Sequence, residues 1–118
     1  MRILAAAVFV IVASAAMADD LDVAHTDALA ARNSYWNCLA QEYSKDSNRN
    51  LSAQDFTLLV AGACPSERQN LRVLLLEYLT MQFRDVDPDA HMTTANNAIA
   101  LAQKDVATAF TKHKATAK

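Results

Sequence analysis

Tyr35-Trp36-Asn37-Cys38-Leu39-Ala40-Gln41-Glu42-Tyr43, followed by Ser44-Lys45-Asp46-Ser47-Asn48-Arg49-Asn50 and then Leu51-Ser52-Ala53-Gln54-Asp55-Phe56, is the stretch on which the fold turns. Its first part closes a helical pattern, its middle is a polar loop, and its last part starts a new helix. Ser52 has the chemistry of an N-cap, Asp55 stands at the third helical position, and Leu51 is placed to staple onto Phe56. Backwards from the loop, Ala24, Ala28, Ala31, Tyr35, Cys38 and Leu39 recur at three- and four-residue spacings and share one face of a helix expected over 21–43. Leu29, Trp36 and Tyr43 form an adjacent stripe that widens this face. Asp19, Asp20 and Asp22 lie at its start, where carboxylates complement the helix dipole.

Forwards from the loop, Phe56, Leu59, Val60 and Ala63 line one face of the second helix. Gly62 and Pro65 mark its end or a kink, and Cys64 falls at that junction. Two antiparallel helices joined by residues 44–50 bring Cys38 and Cys64 together. A third helix is expected over 66–85, with Leu71, Leu74, Leu75, Tyr78, Leu79 and Gln82 on one stripe and Leu76, Leu79 and Phe83 on another. So wide an apolar face suits a central helix touching two neighbours, or a dimer seam. The fourth helix opens with Asp87 as N-cap, Pro88 at the first position and Asp89 in the first turn. Met92, Ala95, Ile99, Ala102, Val106, Ala109 and His113 then alternate at three and four, a heptad repeat that predicts a shallow helix crossing. With one glycine and two prolines in the chain, helix is favoured nearly everywhere. The expected fold class is all-α, an antiparallel bundle of about four helices stapled by one disulfide.

Residues 1–18 read as an export signal. Arg2 supplies a positive start, an uncharged apolar run extends from Ile3 to Ser14, and Ala16-Met17-Ala18 is a small-x-small cleavage site ahead of Asp19. The run is short for a bilayer span, so cleavage between Ala18 and Asp19 is expected, with a retained anchor as the alternative. A lipoprotein would need a cysteine where Asp19 stands. The expected product is periplasmic or secreted, a single helical domain over 19–118 that keeps 100 of the 118 residues. Losing Arg2 leaves ten basic against thirteen acidic side chains, a formal charge of −3, which speaks against nucleic acid and anionic membranes as partners. In an oxidising compartment the pair Cys38 and Cys64 reads as a disulfide rather than a redox motif, which favours closer spacing.

Chemical sites are few. Asp46-x-Asn48-x-Asn50 resembles the start of an EF-hand loop, but Leu51 takes the glycine position and Asp55 arrives two residues early. A polar turn before a capped helix already explains these residues. His25, His91 and His113 lie far apart in the sequence, and none is in a metal-ligand spacing. Arg32 and Glu42 border the apolar arc of the first helix, and Glu67 and Arg68 open the third near Cys64. Snorkelling or structural pairing is the expectation for all four. Ser52 and Ser66 have capping explanations, so no catalytic, cofactor or metal residue is expected.

Tyr35-Trp36-Asn37-Cys38-Leu39-Ala40 together with Ala63-Cys64-Pro65-Ser66-Glu67-Arg68 resembles a pattern in small proteobacterial secreted proteins that carry an aromatic-x-x-Cys helix and an Ala-Cys-x-x-Glu-Arg helix start. The resemblance covers about residues 31–75 and implies a disulfide-stapled helical fold, with no chemistry attached. Small periplasmic acid chaperones are similar in architecture only, since their cysteines lie further apart. The functional expectation is a non-enzymatic periplasmic or secreted protein that binds an envelope protein, in a stress or holdase role. A homodimer through the third or fourth helix is part of this expectation. The alternative is an inhibitor or accessory module of an envelope enzyme that probes with residues 44–50, and a small enzyme ranks third.

Overall fold

A computed structural model describes the backbone of residues 2–116 and the side chains of residues 18–114. Four α-helices follow one another: α1 Arg2–Ser44, α2 Ala53–Gly62, α3 Pro65–Gln82 and α4 Pro88–Thr116, with a short 3-10 turn Asp46–Asn48 after α1. α1 begins well before the expected Leu21, because the apolar segment ahead of the domain continues the same helix. The side chains of the expected signal up to Met17 lie outside the described residues, while Ala18 and Asp19 are exposed.

The helices pack as three rods. α2 and α3 lie end to end, and together they run antiparallel to α1 and α4. Phe56 of α2 stacks on Phe110 of α4 with ring centroids 3.9 Å apart, and Arg72 of α3 donates to Asn96 of α4 at 3.1 Å. His25 of α1 packs on Tyr78 near the far end of α3. The Cys38–Cys64 disulfide ties α1, within two turns of its C-terminal end, to the break between α2 and α3.

Both helix starts legible in the sequence form as expected. The Ser52 hydroxyl accepts from the Asp55 amide at 3.0 Å, and the Asp87 carboxylate accepts from the Asp89 amide at 3.0 Å. The α2–α3 break is built differently. Gly62 keeps an ordinary backbone, and Cys64 takes the left-handed conformation at φ 54° and ψ 51°. Pro65 then starts α3 at its first turn. Arg68 reaches back to donate to the Ala61 carbonyl at 2.6 Å, satisfying an orphan acceptor at the end of α2.

The core holds Ala24, Ala28, Ala31, Tyr35 and Leu39 of α1, Phe56 and Val60 of α2, and Leu71 and Leu79 of α3. Tyr35 is fully buried, and its hydroxyl accepts from Gln103 of α4 at 3.0 Å. The third helix is the central one: Leu74, Leu75 and Leu76 are half-buried, although Gln82 and Phe83 turn to solvent. On α4 the middle of the expected stripe is buried, but Met92, Ala109 and His113 are exposed, and His91, Ala107 and Phe110 are buried instead. A strict heptad holds one face only in a supercoiled helix. α4 instead rotates its buried face along its length, because it meets α3 at its start and α2 and α1 at its end.

Candidate functional site

The loop after α1 is an ordered turn with its polar groups paired inward. Asn48 is buried, and its amide donates to the Glu42 carbonyl at 2.7 Å and to Glu42 Oε2 at 3.1 Å. This plugs the end of α1, where carbonyls lack helical partners. Lys45 Nζ lies 2.6 Å from Glu42 Oε1, and Arg49 pairs with Asp46 at 3.0 Å on the outside of the turn. The Lys45 contact holds the Glu42 carboxyl below its ordinary value of 4.5, with help from Asn48 and against the opposing effect of partial burial. With Asn48 turned inward as a donor, Asp46, Asn48 and Asn50 do not converge as calcium ligands.

The other charged candidates take structural places. Arg32 is exposed, and about 15 Å of helix separates it from Glu42, so the two do not form a shared pocket. Glu67 is half-buried, and its carboxylate lies within 4.8 Å of both cystine sulfurs. The sulfurs are already joined to each other. The histidines are spread along the bundle. His25 leans on Tyr78, His113 packs against Tyr43 at 5.5 Å, and His91 is buried with Nε2 3.0 Å from the Phe83 carbonyl. Since a carbonyl only accepts, Nε2 carries the hydrogen, and His91 ties the last turn of α3 to the first turn of α4.

Sequence reasoning missed His91, Asn48 and Gln103 as structural polar residues. Each acts across a turn or between helices, and none has a spacing that announces it. The expected stripe Leu29, Trp36 and Tyr43 is only partly used. Tyr43 packs edge-on against Phe110 with centroids 6.1 Å apart, while Trp36 is 42% and Leu29 38% exposed. These two lie seven residues apart on one side of α1, the spacing of a helix–helix seam.

Concave surface on α4 includes a groove and a cleft. A shallow groove of about 560 Å³ runs between α2 and α4 over Thr57, Ala61, Ala100 and Ala107. A more enclosed cleft of about 430 Å³ lies between the end of α1 and the end of α4, against Tyr43 and Phe110. Among the described residues, no helix is long and apolar enough to cross a membrane. No protein-family model, curated protein or solved structure matches the chain.

Proposed function

We propose that the chain is an exported, non-enzymatic domain that binds a helical segment of another envelope protein along the Leu29–Trp36 side of α1. The observation that carries this reading is Trp36, the only tryptophan of the chain, left 42% exposed with Leu29 one heptad before it. Isolated exposed apolar residues are ordinary on protein surfaces. A tryptophan and a leucine seven apart on one helix make an anchor pair suited to a partner helix at a shallow crossing angle. The third helix, by contrast, spends Leu71 and Leu79 inside the bundle, which argues for a discrete face over a broad holdase surface.

Export is part of the proposal. The apolar segment before Asp19, its small-x-small end and the Cys38–Cys64 bond together favour cleavage after Ala18 and a periplasmic or secreted location. The second reading, a probe formed by residues 44–50, draws on the exposed Asp46–Arg49 pair at the end of the bundle.

Leu29→Glu with Trp36→Glu leaves the core untouched and should preserve the far-ultraviolet circular dichroism. The wild type is expected to retain an envelope protein in affinity capture that this double variant loses. If Lys45→Ala with Arg49→Ala abolishes capture while the α1 variant captures normally, the loop reading replaces the helix-face reading. Sedimentation equilibrium of the purified domain separates a foreign partner from a second copy of the chain.

A further inference from the structure

We propose that the cleft between the ends of α1 and α4 binds a carboxylate carried on an aromatic or compact aliphatic body. Two rings wall it. Tyr43 and Phe110 meet edge to face at 85°, and Phe110 continues into the buried stack with Phe56. The remaining lining is Ser44, Lys45, Arg49, His113 and Lys114. Among the described residues, three cations and no carboxylate therefore face a space of about 430 Å³, within the size range of small-molecule sites.

The charge is local, because the chain as a whole carries a formal −2. Among the described residues, counting Glu42 and Asp46 behind the rim against Lys45, Arg49 and Lys114 leaves one net positive charge, which suits a singly charged anion. The cations keep donor capacity. Lys45 gives one hydrogen bond to Glu42, Lys114 one to the Leu51 carbonyl, and each ammonium has three N–H groups. Arg49 is held by an exposed pair with Asp46, with side chains 77% and 91% accessible, so solvent screens that contact and an incoming anion competes with it.

Cations near helix C-termini are expected from the helix dipole. That explains Lys45 and Lys114 but not the pair of rings between them. The repulsion an anion would feel at the end of α1 is reduced as well. The Glu42 carbonyl already accepts from Asn48, and the Ala40 carbonyl accepts from Ser44 at 3.3 Å. The rings supply apolar contact, the rim supplies charge, and the combination selects an amphipathic acid over inorganic phosphate. This site is separate from the Leu29–Trp36 face and does not depend on it.

The test is a two-dimensional amide NMR titration of the oxidised domain with phenylacetate, with uncharged phenylacetamide as control. A tetrapeptide ending in phenylalanine, as free acid and as amide, forms the second arm. Phenylacetate is expected to shift the Tyr43, Lys45 and Phe110 signals with an affinity in roughly the millimolar range. Arg49→Gln should weaken binding by roughly fivefold to tenfold, and raising salt should weaken it further. Tighter binding of the free acid names a small metabolite as the source of the carboxylate, and tighter binding of the peptide acid names a polypeptide terminus. Either supports the proposal. Equal shifts with phenylacetamide, or no shift at these residues at about 20 mM phenylacetate, overturn it.

Discussion

Breaking the Cys38–Cys64 bond should cost the domain much of its stability, and residue 64 should report how. The bond closes a loop of about 27 residues, for which chain entropy gives a stabilisation of about 3.5 kcal/mol. Domains of this size unfold with roughly 5–15 kcal/mol, so the reduced protein should remain folded but become marginal. Its melting temperature should fall by roughly 15–25 °C. Cys64 adds a second effect, because it is held at φ 54° just before Pro65. A side chain in the left-handed region costs about 1–2 kcal/mol, and the greater freedom of glycine when unfolded gives back part of that difference. Cys38→Ala with Cys64→Gly should therefore be about 1 kcal/mol more stable than Cys38→Ala with Cys64→Ala. Urea unfolding followed by circular dichroism measures both differences, the first on oxidised and phosphine-reduced wild type. Equal stability of the oxidised and reduced forms would refute the staple. A glycine variant less stable than the alanine variant would show that the break relaxes out of the left-handed region once the bond is gone.

Two further outcomes follow from the same geometry. Gly62 ends α2 with an ordinary backbone and open space around the position a Cβ would take, so Gly62→Ala should raise stability by roughly 0.5–1 kcal/mol in thermal unfolding. Glu42 has a lowered pKa in the folded state. Its contribution is complete above the ordinary value of 4.5 and is lost as pH falls through the folded value. Carbon-detected NMR should place its midpoint below 4.5, and Glu42→Gln should flatten the loss of stability in that acid window.

What the sequence made legible was local. Ser52 with Asp55, and Asp87 with Pro88, cap helices within four residues of chain, and both form as read. The inward alanines of α1 and the pairing of Cys38 with Cys64 follow from one helical period and one loop. The reading faltered where position depends on which neighbour a helix meets. Met92 and Ala109 fall off the buried face because α4 changes partners along its length, while His91 and Phe110 turn in. Gly62 and Pro65 marked the α2–α3 break in the sequence, but nothing there announced the left-handed backbone of Cys64, where the disulfide and the start of α3 hold it. Trp36 looked like core and stands at the surface, the one departure that points toward function. The cleft at Tyr43 and Phe110 joins residues more than sixty positions apart, a distance that no sequence motif spans.

The central claim, that the Leu29–Trp36 side of α1 is where this domain meets its partner, is tested most directly by position-specific photocrosslinking in intact cells. A photoreactive residue at position 36 is compared with one at position 34, where Ser34 is exposed on another side of the same helical turn. A discrete adduct from position 36, absent from position 34, is the predicted result. Adducts of equal yield from both positions, or from neither, would contradict it.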